Sequence, residues 1–169
     1  MGKRDYALLL LLVTYGLRIS DARGLCLDDI DWRHDRLSIC QRKTGEPLLL
    51  PLTPEIGQAL ITYLREARPS TPHRQVFLTV RVPHRPFSSN RAPVWIVRKY
   101  IDRANVSGIH RGPHVLRHSM ASRLLQAGHP IKFIADLLGH RSIESTFIYT
   151  KVDVDHLREV ALDLPEVQS

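Results

Sequence analysis

Cysteine is scarce, and the two thiols present stand apart: Cys26 and Cys40 form no CxxC pair. That spacing offers neither a disulfide framework nor a metal site, so both are expected as buried thiols in a reducing interior. Long apolar runs are also missing. The longest, Tyr6 to Val13, falls far short of the roughly 18 residues that cross a bilayer. Lys3 and Arg4 precede it as in a secretory signal, but Gly16, Arg18 and Asp21 follow where a small-residue cleavage site belongs, so it reads as a buried helix. No internal repeat or low-complexity segment is present, which sets repeat architectures aside. Carboxylates do not gather as in a two-metal site: Asp28, Asp29 and Asp31 lie in a stretch that better fits capping and a turn.

What remains is a basic chain able to bury one core. It has 169 residues, with 24 Lys and Arg against 17 Asp and Glu, a formal net charge of +7. A cationic surface suits a polyanionic partner, though charge alone is weak ground for naming nucleic acid. Asp5 to Tyr15 predicts a core helix closed by Gly16. Arg18 follows, with Ser20 as N-cap of a second short helix and Asp21 one residue inside it, where its carboxylate can hold Arg18. Arg36 to Leu52 predicts a β-hairpin turning at Thr44-Gly45, with Lys43 beside the turn. Thr53 and Pro54 open an amphipathic helix with Ile56, Ala59, Leu60, Tyr63 and Leu64 on its apolar face. Between Arg68 and Ser89 the chain is rich in Pro, Arg and His, and Val76 to Val80 is a candidate third strand. His73, Arg74, Arg81, His84, Arg85 and Arg91 are either contacts to a phosphate backbone or a solvated basic loop. A helix over 90–104 places Val97, Tyr100, Ile101 and Ala104 inward and Arg98, Lys99 and Arg103 outward.

The stretch PHVLRHSMASRLLQAGHPIKFIADLLGHRSIESTFIYT, from Pro113 to Thr150, organises the rest. Pro113 suits a first helical turn. His114 and Arg117, three apart at helical period, share one face. Gly128 with Pro130, and then Gly139, divide the stretch into three short helices, with His140 at a joint and Tyr149 near the end. Each residue also has a plain structural reading. Arg18 can be a turn arginine paired with Asp21 or Asp29, Lys43 a charge that guards a sheet edge, and His140 a helix C-terminal cap. Tyr149 can be a core phenol. His114 and His118 at i, i+4 have the spacing of zinc ligands, but the glutamate of an HExxH motif is absent. His118 more simply packs or supports the neighbouring pair. A further short helix is expected over Val152–Leu162, with Val154, Leu157 and Ala161 on one side.

Taken together, HxxR, LLGH and the late Tyr, with YGLRISDARGLCLDDIDW and QRKTGEPLLLPL before them, resemble the catalytic domain of the tyrosine recombinases, or phage integrase family. The resemblance covers nearly the whole chain in the family's order. It implies an α+β, mainly α-helical fold with a small three-stranded antiparallel sheet, and a single catalytic domain over 1–169. A helical core-binding domain usually precedes that domain in the family; it is expected to be absent here. The implied activity is site-specific cleavage and rejoining of double-stranded DNA through a 3′-phosphotyrosyl intermediate. It needs no cofactor or metal, proceeds within a homotetramer on DNA built from protomers that are monomeric in solution, and belongs to the cytoplasm and nucleoid. The implied catalytic set is Arg18, Lys43, His114, Arg117, His140 and the nucleophile Tyr149, supported by Asp21. Arg42 lies beside Lys43 and leaves the register of that lysine open by one residue. Arg42, Arg85, Arg91, Arg98 and Lys99 are the expected DNA contacts. Two other readings of the same motifs are a catalytically silent DNA-binding module and a topoisomerase-like relaxer.

The residue types suit such a step. Charge builds on the non-bridging oxygens of the phosphate, so catalysis is mostly positioning and electrostatics. Guanidinium stays charged and donates in a planar fork, which makes Arg18 and Arg117 natural phosphate ligands. A phenol with an ordinary pKa near 10 needs a proton acceptor to attack, and His114 is the expected one. His140 would donate to a non-bridging oxygen, and Lys43 would protonate the departing 5′ oxygen.

Overall fold

A computed structural model describes residues 2–42, 45, 47–105 and 112–138. The chain divides into two compact units, Met1–Met120 and Ala121–Ser169. In the first unit, helix α1 (Lys3–Tyr15) packs on helix α3 (Pro54–Glu66). Leu8, Leu11 and Leu12 of α1 and Ile56, Leu60 and Tyr63 of α3 are all at 1% exposure or less. Each such side chain contributes about 1.5–3 kcal/mol by leaving water, so this pair anchors the core. Tyr63 also stacks on Phe77, ring centroids 5.8 Å apart. The expected start of α3 is found, with Thr53 as N-cap accepting from the Ile56 N–H and Pro54 opening the first turn. Leucine does not bury α1 all round, because Tyr6 is 48% exposed.

Gly16 ends α1 in the left-handed conformation, φ 59° and ψ 29°. Helix α2 (Ile19–Gly24) begins at once, and its N-cap is Arg18 rather than Ser20. The reason is burial: Leu17 and Ile19 both enter the core, so the helix starts two residues early and Ser20 falls inside it. There its hydroxyl donates to Asp21 Oδ1 at 3.1 Å. Asp28, Asp29 and Asp31 act as capping and turn residues. Asp29 accepts the Cys26 N–H at 2.7 Å, and Asp31 accepts the Arg33 and His34 N–H groups. Asp28 pairs with Arg74.

The sheet is antiparallel in the order β1-β2-β3, with β1 Ile30–Asp31, β2 Arg36–Cys40 and β3 Pro47–Pro51. Pairing Leu37 with Leu50 and Ile39 with Leu48 puts apolar side chains on one face. The hairpin matches its expected span, but the third strand is Ile30–Asp31, not Val76–Val80. That segment buries Val76, Phe77 and Leu78 while making only isolated bridges, Cys26 to Gln75 and Leu78 to Pro86. Its path is held instead by Arg68, whose guanidinium donates to the carbonyls of His73, Gln75 and Val76 at 2.6, 2.9 and 3.2 Å. Neither cysteine is a buried thiol. Cys40 alternates with Ile39 on β2 and so faces outward, exposed, and Cys26 is half-buried. Burial, with the Asp29 and Asp28 carboxylates nearby, pushes the Cys26 thiol up.

Helix α4 (Arg91–Arg103) buries Pro93, Ile96 and Val97. The expected inward face was set one turn too late: Tyr100 and Ile101 are half-buried and Ala104, beyond the last turn, is exposed. A polar network ties α4 to α1. Tyr100 Oη donates to Asp5 Oδ2 at 3.4 Å, and the Arg4 guanidinium donates to Asp5 Oδ1 and to the Leu78 carbonyl while lying over the Phe87 ring. Helix α5 (Pro113–Gln126) starts at the expected proline. In the second unit, Gly128 at φ 81° separates it from helix α6 (Ile131–Leu138), where His129 stacks on Phe133. The third helix of this stretch and the expected helix over Val152–Leu162 lie outside the described residues.

Candidate active site

Three elements of the first unit meet near the end of α1. The left-handed turn at Gly16 sends Leu17 inward, at 5% exposure, and leaves Arg18 at the N-cap of α2 in extended conformation, φ −68° and ψ 145°. From α5, Arg117 reaches back to this turn. It is 7% exposed, and its Nη1–H donates to the Gly16 carbonyl at 2.7 Å. Arg18 and Arg117 are thus tied to positions two residues apart on one backbone segment, although 99 residues of sequence separate them. His114, one turn before Arg117 on α5, is exposed, as is His118. Of the two roles expected of His118, packing or supporting the neighbouring pair, its exposure sets burial aside, because a residue one past the buried Arg117 points about 100° away from it on a helix.

Asp21 organises the other side. Its side chain is 3% exposed and lies 3.9 Å from Arg18 Nη1. Its Oδ1 also accepts the main-chain N–H of Arg42 at 3.1 Å, so one buried carboxylate addresses Arg18 and holds the end of β2. The Arg42 guanidinium lies against α2, where a Cβ added at Gly24 would stand 2.9 Å from its Nε. Between them is a cleft of about 240 Å³ lined by Asp21, Gly24, Leu25, Ile39, Cys40 and Arg42. Lys43, one residue on, lies outside the described residues, as do His140 and Tyr149.

The other expected DNA contacts form no single cluster. Arg85 is exposed on a loop closed on itself, its N–H donating to Thr79 Oγ1 and its carbonyl accepting from the Thr79 N–H. Arg91 and Arg98 are exposed on α4, seven residues apart. Lys99 is held between two rings, its Nζ 5.2 Å from the centroids of both Trp95 and Tyr100. Such contacts restrain a lysine without removing its charge. Among the described residues no group of three or more His, Cys, Asp or Glu is placed to hold a metal ion. What sequence reasoning missed is Gly16 as the acceptor for Arg117. Its only local signal is a glycine after a helix, which reads as a stop.

The model of the phage integrase family matches residues 1–156. "Putative integrase/recombinase y4gC" of Sinorhizobium fredii is 44% identical over 165 residues, covering 97% of this chain and 84% of that protein. "Tyrosine recombinase XerC" of Oceanobacillus iheyensis is 36% identical over 165 residues, 94% of this chain but 52% of that protein. The chain thus spans about half the length of XerC, and 40% of a second Sinorhizobium fredii relative, y4rA. Among solved structures, the XerA recombinase aligns with a TM-score of 0.77 at 27% identity, over 94% of this chain and 55% of that one. The chain belongs to the phage integrase family, with the fold of a tyrosine recombinase catalytic domain.

Proposed function

We propose that this chain carries out site-specific DNA strand transfer through a 3′-phosphotyrosyl intermediate. The observation that supports it best is the convergence of Arg18 and Arg117 on the turn at Gly16, with Asp21 behind Arg18. Two arginines, one rooted in this turn and one bonded to it, suit the non-bridging oxygens of one phosphodiester. The Tyr149 oxygen attacks phosphorus as its proton passes to His114. A new phosphorus–oxygen bond forms to tyrosine while the bond to the 5′ oxygen breaks, and Lys43 gives that oxygen its proton. His140 donates to a non-bridging oxygen. The ester keeps the energy of the broken bond until a 5′ hydroxyl from another strand attacks phosphorus and releases the phenol.

Double-stranded DNA is the partner in this reading, consistent with the charge of +7. Arg42, Arg85, Arg91, Arg98 and Lys99 contribute contacts to its backbone, so binding weakens steeply as salt rises. Exchange between strands requires protomers to assemble on DNA, as a tetramer, from monomers in solution. The proposed setting is the cytoplasm, on the nucleoid; no helix among the described residues is long and apolar enough to cross a membrane.

Covalent trapping tests the proposal. The protein is incubated in EDTA with nicked duplex DNA from a diverse pool, denatured, and examined for a protein–DNA adduct beside Tyr149→Phe. An adduct lost in the variant is the expected result. One that survives the substitution removes Tyr149 from its role. Cleavage that stops in chelator overturns the metal-free chemistry, and DNA binding without any adduct favours the silent module.

A further inference from the structure

The bond from Arg117 to Gly16 joins residues 101 apart in sequence. It uses one of the five N–H donors of the guanidinium of Arg117, a residue only 7% exposed. Anchoring one nitrogen of a planar group on a rigid acceptor restricts the directions open to its other N–H groups. The acceptor here is not a side chain that could rotate away. It is the carbonyl of a residue whose own backbone is set at φ 59°, a region that L side chains seldom occupy. The same residue starts the turn that buries Leu17 and brings Arg18 out at the head of α2. Two residues span at most about 7 Å of extended chain, so the Arg18 backbone and the anchor of Arg117 are held within that distance of each other.

From this we infer that Gly16 is a positioning residue of the phosphate clamp, acting through its carbonyl on Arg117 and through its left-handed backbone on Arg18. The inference rests on the reading that these two arginines grip the scissile phosphate. Gly16 touches no DNA in this scheme. A side chain at 16 pushes φ toward negative values, rotates the carbonyl away from Arg117 and re-aims Arg18 in the same movement. A misplacement of about 1 Å in such a site costs on the order of a hundred-fold in rate, while contacts elsewhere on the duplex are untouched.

Two variants separate this role from simple packing. Gly16→Ala and Gly16→Asn both add a Cβ, but asparagine tolerates the left-handed region and alanine does not. Three readouts are taken on the full chain: the nitrogen-15 signals of the Arg117 guanidinium in the free protein, the affinity for intact duplex, and the single-turnover rate of adduct formation on nicked duplex at saturating protein. In Gly16→Ala the resolved guanidinium signals are expected to be lost and the adduct rate to fall roughly 10- to 100-fold, with duplex affinity within about two-fold of the parent. In Gly16→Asn both the signals and most of the rate are expected to return. Guanidinium signals or an adduct rate unchanged in Gly16→Ala would overturn the inference alone, as would an equal fall in both variants that tracks their melting temperatures. Absence of adduct from the parent protein itself would overturn the phosphate-clamp reading, and the inference with it.

Discussion

Asp21 is the residue whose removal has the most specific consequence. Its side chain is 3% exposed and accepts from the Arg42 N–H and the Ser20 hydroxyl, each at 3.1 Å, with Arg18 Nη1 at 3.9 Å. Hydrogen bonds to a charged acceptor are worth about 1.5–3 kcal/mol each, and stranding a part-buried N–H costs about 1–3 kcal/mol. Ser20 can turn its hydroxyl elsewhere, so its bond is largely recovered. The attraction to Arg18 is about 4 kcal/mol at an effective dielectric near 20, most of it offset by the cost of burying the carboxylate. The net for Asp21→Ala is then about 2–4 kcal/mol. At roughly 2–4 °C per kcal/mol for a chain of this size, the melting temperature falls by about 4–16 °C.

Asp21→Asn divides that sum. It keeps a carbonyl oxygen for the Arg42 N–H but not the charge that faces Arg18, so about half the loss is expected to return. Urea unfolding followed by tryptophan fluorescence gives both values, with Arg42→Ala as control, because the bond is made by the main chain of Arg42 rather than its side chain. If Asp21→Ala lies within about 0.5 kcal/mol of the parent, inside the range of an ordinary surface substitution, or if Asn is as damaging as Ala, the carboxylate does not hold the strand end as described.

Arg68→Ala removes three bonds to carbonyls of a segment that has no strand partner of its own. It is expected to cost about 2–3 kcal/mol and to open the chain between Pro69 and Gln75 to limited proteolysis; an unchanged digestion pattern would count against that role. Tyr15 and Tyr63 supply a pH dependence, since burial raises both phenols above their ordinary value of 10.0. For a group whose folded pKa is raised, the stabilisation is full below the unfolded value and is lost as pH rises through the folded one, so stability declines only above about pH 10. Phenolate absorbance should show these two residues ionising later than in the urea-unfolded chain, a lag that shrinks in Tyr15→Phe and Tyr63→Phe, and coincident curves would refute it.

Much of the framework was legible because its causes are local. The leucines of α1, the Thr53-Pro54 start of α3, the alternation of Leu37 and Ile39, and Pro113 at the head of α5 each act within a few residues of chain. Ile30–Asp31 was missed because two residues are too short for alternation to register, while Val76–Val80 has the composition of a strand without a partner to pair with. The motifs nominated side chains for the site, yet the described polar side chains there and around it are held mostly by backbone. Arg117 bonds the Gly16 carbonyl, Asp21 the Arg42 N–H, Arg4 the Leu78 carbonyl and Arg23 the Phe87 carbonyl. A peptide group is the same at every residue, so no pattern of side chains can reveal which carbonyl an arginine will reach 101 residues away. It also means that a side-chain substitution at the acceptor leaves the acceptor in place unless it changes the backbone angles. Glycine in the left-handed region is where that condition is met, and that makes Gly16 a partner of the arginine pair whose replacement acts on geometry rather than on chemistry.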